Sequence, residues 1–227
     1  MPTLNIKAPK SVALLLIGSL NPIHKLHVRM LELARAHLAQ SGINVVQAII
    51  SPAGDAYRKD GLVPAVHRLA MARLATERIS WIAVSDWEAR QSEWIRTADL
   101  LKHHSIRLLS SPGSGIERLM LIIGADIVTS FFTPNLYSDE HLESFVREYG
   151  LVVIERNDVN IESLIDQSPI LSKYKNNIHI VPCDDVSRDC SSTAIRATLF
   201  SAGTINSDWL DSSVLDYIRQ HHLYGGN

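Results

Sequence analysis

The most constraining feature of this sequence is a junction between a strand-like and a helix-like segment near its beginning. Six consecutive apolar residues, Val12–Ile17, run directly into Gly18-Ser19-Leu20-Asn21-Pro22-Ile23-His24-Lys25-Leu26-His27. An isolated H-x-x-H motif is most often a pair of solvated histidines, but this one follows a buried strand. Glycine allows close backbone approach, and a helix start presents N–H groups, to which His24 and His27 add donors. The junction therefore predicts a phosphate-binding turn.

The composition restricts the class of protein. The chain has 227 residues, of which 46% are hydrophobic and 20% charged, so we expect one domain, 1–227, with one sizeable core. A net charge of −2 gives no reason to expect binding to nucleic acid or to a membrane surface. No segment approaches the ~20 apolar residues of a membrane-spanning helix. Small molecules are therefore the expected ligands.

The chain is also expected to remain in a reducing compartment. Lys7 and Lys10 precede the first apolar run as they would in a secretion signal, but the run is short and no typical cleavage site follows. Cys183 and Cys190 are too few for a disulfide framework and lack the further ligands of a zinc site. The expected location is the cytoplasm, with the nucleus as an alternative, and self-association is left open.

Apolar runs of strand length alternate with longer segments of helical period. This alternation is typical of a doubly wound parallel sheet with helices on both faces, an α/β fold. The predicted strands are 12–17, 45–51, 82–85, 119–123, 151–154 and 178–181. The first predicted helix begins at the histidine pair, and the last begins at Ser191-Ser192-Thr193. The other predicted helices span 64–78, 93–104, 125–132 and 139–149. Between the two halves of the predicted sheet, the segment Ser110–Gly115 indicates a linker within a mobile loop near 108–117.

The segments that follow the predicted strands carry groups suited to polyanions. Ligands of open parallel sheets bind beyond the carboxyl ends of the strands, so the chemistry is expected there. The strand-exit segments provide helix starts, hydroxyls, imidazoles, a lysine and an arginine, in 18–27, 54–59, 124–126 and 191–196. The chain lacks both G-x-G-x-x-G and G-x-x-x-x-G-K-[ST], which disfavours a dinucleotide dehydrogenase and a P-loop NTPase. The pattern indicates a nucleotide site of another kind.

Several segments, in order along the chain, resemble the nucleotidylyltransferase superfamily and, within it, the eukaryotic nicotinamide-nucleotide adenylyltransferases. The first is Gly18-Ser19-Leu20-Asn21-Pro22-Ile23-His24-x-x-His27-x-Arg29. The others are Ser51 through Lys59, His67-Arg68, Trp81 through Trp94, Gly124-Ala125-Asp126, Ser130-Phe131, Pro134-Asn135-Leu136 and Ser191-Ser192-Thr193-x-x-Arg196. The resemblance covers nearly the whole chain and implies a Rossmann-like sheet.

The resemblance implies a reaction in which the AMP part of ATP is transferred to nicotinamide or nicotinate mononucleotide. The products would be NAD, or its deamido form, and pyrophosphate, with Mg²⁺ held mainly by the ATP phosphates and water. The attacking phosphate monoester is already largely ionised at pH 7, because its second pKa is about 6. Direct attack therefore needs no general base and no covalent enzyme intermediate. It needs alignment and stabilisation of charge on the phosphates.

The resemblance assigns phosphate and ribose contacts to residues of several strand-exit segments. His24 and His27 match positions near the ATP phosphates, and Gly18 and Ser19 would donate to phosphates. Lys59 would reach the phosphate of the mononucleotide. Arg196, on the helix opened by Ser192 and Thr193, would clamp the departing pyrophosphate, and Gly124 and Asp126 would hold the adenosine ribose. Without the resemblance, Lys59 and Arg196 would each be interpreted as a solvated surface charge. Asp126 would be interpreted as a helix N-cap.

Recognition of the nicotinamide ring is assigned to an aromatic pair. A cationic, electron-poor ring is held well against an aromatic face, and Trp94 and Tyr137 match the two stacking positions of the family. Thr97 and the backbone of Leu136 match positions that hydrogen-bond the carboxamide. By the same comparison Trp81 and Trp87 are packing residues, and the poorly matching segment 182–190 receives no site.

Three departures from the family pattern affect the expected site. Tyr137 replaces the usual tryptophan and offers a smaller ring, which leaves the preference between amide and acid substrates open. Leu20 replaces a phenylalanine at a position where the backbone contributes most. Ala194 replaces a lysine found in many relatives and removes one positive charge near the triphosphate.

Two other function classes stay open from the sequence. One is a related transferase for another phosphorylated acceptor, which would not require Trp94, Thr97 and Tyr137. The other is a nucleotide-binding protein without turnover, which the presence of His27, Lys59 and Arg196 disfavours.

Overall fold

A parallel β-sheet forms the centre of the molecule. The computed structural model describes residues 9–134, 136–155, 159–183 and 190–225, and within them the sheet has six strands. The strands are β1 Ser11–Gly18, β2 Asn44–Pro52, β3 Ile82–Val84, β4 Arg118–Gly124, β5 Leu151–Ile154 and β6 Ile178–Val181. Their order is β3-β2-β1-β4-β5-β6, and every neighbouring pair is parallel. The doubly wound α/β prediction is confirmed.

Helices connect the strands and cover both faces of the sheet. They are α1 Lys25–Gln40, α2 Ala65–Thr76, α3 Thr97–Leu109, α4 Ala125–Ser130, α5 Asp139–Ser144, α6 Ile161–Gln167, α7 Pro169–Lys173, α8 Ser192–Phe200 and α9 Ser212–Gln220. One turn of π-helix, Phe145–Tyr149, continues α5. Short 3₁₀ turns occupy Asp55–Tyr57, Glu88–Arg90, Lys175–Asn177 and Leu223–Gly225. None of the helices in the described ranges has both the length and the apolar character needed to cross a bilayer.

The alternation of side chains along β1 divides the core between the two faces. Val12, Leu14 and Leu16 point to the face covered by α1, α2, α8 and α9. Ala13 and Leu15 point to the opposite face, covered by α3 to α7. All five side chains are at most 3% exposed. Because both faces are buried, β1 shows a continuous apolar run instead of a polar alternation.

The chain reverses its winding direction between β1 and β4, the two central strands. Strands β1 to β3 extend the sheet one way, and β4 to β6 extend it the other way. The carboxyl ends of β1 and β4, at Gly18 and Gly124, therefore lie side by side with a crevice above them. In doubly wound sheets this switch point is where ligands bind.

All six predicted strands agree with the structure to within one residue at each end, but several helix boundaries differ. The helix predicted at 93–104 is wrong at both ends, since α3 begins at Thr97 and continues to Leu109. The helix predicted at 125–132 ends at Ser130, and the one predicted at 139–149 changes to π-helix at Phe145. The predicted loop near 108–117 begins within α3, and its central part, 110–115, forms turns between α3 and β4.

Candidate functional site

A cavity of about 470 Å³ lies at the switch point of the sheet. Its walls come from the ends of β1 and β4, the start of α1, the segment after β3 and the segment after α4. The structure thus brings together predicted residues from four separate parts of the chain. These are Gly18, Ser19, His27, Trp94, Thr97, Gly124, Asp126, Leu136 and Tyr137.

The histidine pair occupies the start of α1, as predicted. His24 is the N-cap residue, and its backbone N–H donates to Nδ1 of His27 across 3.1 Å. The two rings stack with their centroids 3.7 Å apart. Since Nδ1 of His27 accepts a hydrogen bond, the ring proton sits on Nε2, which makes Nε2 the donor. The backbone of the helix start therefore sets the tautomer of the histidine that lines the cavity.

His24 has a different environment from its neighbour. It is 4% exposed and is not among the residues that line this cavity. It lines instead a second cavity, bounded by α1, α2 and α9. In this structure His24 stacks on the ring of His27, and only His27 lines the cavity at the switch point.

The turn after β1 combines open space with a constrained backbone. A side chain built on Gly18 would meet no atom within 4 Å, so the space beside its backbone is open for a ligand. Leu20 has a left-handed backbone with φ of 47°, and its side chain is 3% exposed. A left-handed conformation costs roughly 1–2 kcal/mol for a residue other than glycine. Burial of Leu20 against the core holds the turn in this form, which presents Ser19 to the cavity.

The turn after β4 places Gly124 directly against the carboxylate of Asp126. A Cβ on Gly124 would lie 2.5 Å from Oδ1 of Asp126, closer than any real contact of that kind. Gly124 is also the N-cap residue of α4, which excludes the reading of Asp126 as the helix N-cap. The carboxylate of Asp126 folds back over the end of β4 and lines the cavity.

Aromatic and apolar side chains form the other end of the cavity. Trp94 is 55% exposed, although it belongs to a residue type that is usually buried, and Leu136 is exposed to the same degree. Tyr137 packs edge-on against Phe131 and Phe145, with ring centroids 5.1 and 6.2 Å apart. The ring of Tyr137 is therefore fixed by packing, whereas the ring of Trp94 is exposed to solvent. By contrast, Trp87 stacks on His103 at 3.7 Å and Trp81 lies under Arg35, as packing residues do.

Four predicted residues are not among the lining residues of the cavity, and three of them lie beside the first turn. Arg196 donates from Nη1 to the carbonyl oxygen of Asn21 at 2.8 Å, and Ser192 donates to that of Pro22 at 2.9 Å. Thr193 lies within 3.4 Å of Arg196. Helix α8 is thus attached to the turn after β1. The fourth residue, Lys59, is exposed in the loop that follows β2.

Asn21 is a buried hub that the sequence reasoning did not single out. Its Oδ1 accepts from the Tyr224 hydroxyl at 2.7 Å and from the backbone N–H of Val63 at 3.3 Å. Its Nδ2 donates to the carbonyl oxygen of Gly61 at 2.8 Å. The side chain ties the first turn both to the loop that carries Lys59 and to the C-terminal 3₁₀ turn. Its place inside the first motif was the only available signal.

Arg68 is a second buried hub. Its side chain is fully buried and donates from Nη1 to the carbonyl oxygen of Ser19 at 3.0 Å, from Nε to that of Val63 at 2.8 Å and from Nη2 to Oδ1 of Asp55 at 3.0 Å. A guanidinium can satisfy three differently placed acceptors, which a lysine cannot. Arg68 therefore fixes the backbone of Ser19 relative to the loop after β2.

Glu88 is a buried acid in the wall of the cavity, and the sequence reasoning missed it. It is 5% exposed, and Oε2 accepts a hydrogen bond from the Ser51 hydroxyl at 3.3 Å. Burial raises the pKa of Glu88 to about 7, partly offset by Ser51, the backbone of Gly54 and the charge of Arg68. Gly54 is required here, because a Cβ would lie 2.7 Å from the Glu88 carbonyl oxygen. A single acid after a short strand gave no recognisable pattern.

The segment 182–190, for which no site was predicted, also contributes to the wall of the cavity through Cys183. Cys183 lines the cavity, at the end that also includes Glu155. Residues 184–189 lie outside the described residues. In the described part of the chain, no group of three His, Cys, Asp or Glu side chains is arranged to hold a metal ion.

Comparison with known proteins gives consistent matches along the chain. The model of the cytidylyltransferase-like family matches residues 15–198. Nicotinamide/nicotinic acid mononucleotide adenylyltransferase 1 of Bos taurus is 36% identical, with 94% of this chain and 88% of that protein covered. The nicotinamide/nicotinic acid mononucleotide adenylyltransferase of Arabidopsis thaliana is also 36% identical, with 97% and 92% covered.

Solved structures show the same fold. Plasmodium falciparum nicotinic acid mononucleotide adenylyltransferase complexed with NaAD matches with a TM-score of 0.72 at 22% identity, covering 96% of this chain and 98% of that one. The same enzyme complexed with APC matches with a TM-score of 0.70 and the same coverage.

The fold, the cavity at the switch point and the family match define a nucleotidyltransferase of the cytidylyltransferase-like class. Within that class, the chain belongs to the family of nicotinamide/nicotinic acid mononucleotide adenylyltransferases. The resemblance predicted from the motifs is confirmed.

Proposed function

We propose that this protein transfers the AMP part of ATP to nicotinamide or nicotinate mononucleotide, forming NAD or its deamido form and pyrophosphate. The observation that carries the proposal is the single cavity at the switch point. It joins a phosphate-binding turn, Gly18 and Ser19 with His27, to an aromatic end, Trp94 with Tyr137. A dinucleotide has phosphates in its centre and a pyridine ring at one end, so one cavity of this form accommodates the product.

The reaction proceeds in one displacement step. A phosphate oxygen of the mononucleotide attacks the α-phosphorus of ATP, and the bond from that phosphorus to the oxygen bridging the β-phosphorus breaks. The electron pair leaves with pyrophosphate, so no proton has to move and no enzyme group becomes covalently attached. The protein aligns the two anions and stabilises the charge on the α-phosphate and the leaving group.

The residues of the first turn would carry this stabilisation. Nε2 of His27 and the hydroxyl of Ser19 would donate to phosphate oxygens, in a site where the start of α1 adds its partial positive charge. Arg196 lies beside the turn and Lys59 is exposed in the loop after β2, and both would have to swing towards the phosphates. Arg196 would exchange its contact with the Asn21 carbonyl oxygen for one with the leaving pyrophosphate.

The ribose and base contacts follow the remaining walls. Asp126 would accept from the adenosine ribose hydroxyls, close to the backbone of Gly124. Trp94 and Tyr137 would hold the nicotinamide ring, and Thr97 and the Leu136 backbone would bind its carboxamide or carboxylate.

A divalent cation would enter with ATP. Mg²⁺ is usually held by substrate phosphates and water with only one or two protein carboxylates. That arrangement suits a site in whose described residues no protein cage of three ligands is found. The cation would reduce the negative charge that the incoming phosphate meets.

The proposal is tested by incubating the purified protein with Mg²⁺, ATP and either mononucleotide, and measuring dinucleotide and pyrophosphate separately. We expect equal amounts of the two products with at least one acceptor, and loss of both when a chelator removes the cation. Pyrophosphate without dinucleotide would indicate another acceptor, and the absence of both products would contradict the proposal.

A further inference from the structure

A further cavity, of about 320 Å³, lies between α3 and the sheet, at the edge that β3 forms. Its lining includes Gln47 and Ile49 of β2, the segment 83–86 at the end of β3, and His104 and Arg107 of α3. Among the described residues, none lines both this cavity and the one at the switch point. A role for this cavity is therefore independent of the proposed function.

The imidazole of His104 is the most buried polar side chain of this lining. It is 1% exposed, and no residue in the described part of the chain offers a hydrogen-bond partner to its Nε2. Buried polar atoms are nearly always paired, because the loss of water without a replacement costs free energy. An unpaired ring nitrogen in the wall of a cavity is therefore a position where a bound molecule gains a hydrogen bond.

Arg107 adds a permanent positive charge beside this imidazole. It follows His104 by three positions on α3, so the two side chains lie on the same side of the helix, and both line the cavity. Burial, and then the charges of His103 and Arg107, lower the pKa of His104 to about 4. The neutral ring can carry its proton on Nε2 and donate, while the guanidinium offers a fork of donors. This combination of donors and positive charge suits an anionic oxygen.

The carboxylate in the same lining does not cancel this positive charge. Oδ2 of Asp86 accepts from Nη2 of Arg90 at 2.7 Å and lies 3.5 Å from Nη2 of Arg73. Two guanidiniums therefore already balance one carboxylate, and the charge of Arg107 is additional to them. The surroundings of the cavity thus favour a negatively charged ligand.

We propose that this cavity is a binding site for a small oxyanion, a phosphate or carboxylate group held by Nε2 of His104 and the guanidinium of Arg107. The Ser85 hydroxyl accepts from the backbone N–H of Trp87 at 3.3 Å, so its own hydrogen remains available as a third donor. The volume is at the lower end of the range found for small-molecule sites. Because Arg107 is exposed, the ligand can enter from solvent.

The test follows the imidazole of His104 by ¹⁵N NMR while inorganic phosphate or malonate is added at constant pH and ionic strength. The signals of His104 are identified by their loss in His104→Leu. We expect a saturable shift with at least one of the two anions and a proton on Nε2 in the bound state. A shift with only one of them supports the proposal and defines the type of oxyanion, whereas no saturable shift with either would overturn it.

A matched pair of variants on α3 tests the role of the guanidinium. Arg107→Gln removes the cation but keeps a polar side chain, and the dissociation constant should rise by about tenfold or more. Lys102→Gln removes an exposed positive charge that does not line the cavity, and it should leave the constant unchanged. Equal weakening in the two variants would show a general effect of charge and would overturn the proposal.

A crystal structure grown with the same anions gives a second measurement that depends on no variant. Anion density within hydrogen-bond distance of Nε2 of His104 and of the Arg107 guanidinium supports the proposal. Density in the cavity at the switch point alone would overturn it. Neither measurement uses a mononucleotide, so a failure of the proposed function leaves both results unaffected.

Discussion

Single side chains of the site are fixed by their neighbours before any substrate binds. The backbone N–H of His24 orients the ring of His27, and the guanidinium of Arg68 holds the carbonyl oxygen of Ser19. One contact lies at the start of α1 and the other just after β1, and together they fix the ring of His27 and the backbone of Ser19, which both line the cavity. Preorganised donors of this kind are the main source of stabilisation in reactions where charge develops on phosphates.

Replacing His27 should separate catalysis from stability. In His27→Ala we expect kcat to fall by about 100-fold or more, because a donor directed at the phosphates is lost. The free energy of unfolding should change by about 1 kcal/mol or less, since the side chain is only half-buried. Steady-state kinetics and urea unfolding check the two parts, with His37→Ala in the same helix as the control. An unchanged kcat would show that His27 does not act on the phosphates.

Replacing Arg68 should instead affect stability first. Arg68→Lys places a fully buried cation where at least two of the three hydrogen bonds of Arg68 are lost, so we expect a loss of about 2–4 kcal/mol in the free energy of unfolding. The matched control is Arg73→Lys in the same helix, where the ion pair with Asp86 is exposed and contributes about 1 kcal/mol at most. Urea unfolding of both variants measures the difference. Equal losses would contradict the role given to Arg68.

At the scale of elements, the strands were predictable and some helix limits were not. Buried parallel strands such as 151–154 are continuous apolar runs, and their bounds in the structure are those of the run. The start of α3 was misplaced because Arg96, its N-cap residue, makes no side-chain cap and gives no signal. Trp94 and Ile95 fit a helical period but lie before α3 in the cavity wall. The tertiary placement of that segment therefore overrides the local pattern.

Other helices were overlooked although their signals are present. Asn160 caps α6, and Ser168 caps α7 with Pro169 in its first position. Both are recognised starting patterns. Helix α9 begins after Asp211 and buries Val214 and Ile218, four positions apart. The contacts of Asn21 with Gly61 and of Arg68 with Ser19 could not be read from the sequence, because these residues are 40 and 49 positions apart.

The C-terminal 3₁₀ turn should act on the site through one hydrogen bond. The Tyr224 hydroxyl donates to Asn21, the same residue whose carbonyl oxygen accepts from Arg196 on α8. In Tyr224→Phe we expect about 0.5–1.5 kcal/mol less stability and a KM for ATP raised several-fold, because the first turn loses one of its anchors. Urea unfolding and ATP titration of the rate measure both effects. A normal KM and an unchanged stability would mean that the contact has no anchoring role.

For the whole molecule, two buried groups should give stability opposite dependences on pH. Burial lowers the pKa of His104 from 6.5 to about 4, so the unfolded chain binds a proton that the folded chain does not, and stability rises with pH between these values. Burial raises the pKa of Glu88 from 4.5 to about 7, so the folded chain holds the extra proton, and stability falls as pH rises across this range. Between about pH 4.5 and 6.5 the two effects oppose each other.

Variants of the two residues should therefore reveal slopes of opposite sign. In His104→Leu we expect stability to decrease as pH rises from 5 to 6.5, and in Glu88→Gln we expect it to increase, with slopes of up to about 1.4 kcal/mol per pH unit. The free energy of unfolding in urea at several pH values measures both slopes. Parallel pH profiles for the two variants would contradict this account of the buried groups.

We propose that one cavity at the switch point holds both halves of the dinucleotide, and a crystal structure of the protein with NAD tests this. We expect the pyrophosphate against Gly18, Ser19 and Nε2 of His27, and the nicotinamide ring between Trp94 and Tyr137. A dinucleotide bound instead in the cavity between α1, α2 and α9, or with its ring away from both aromatics, would contradict it.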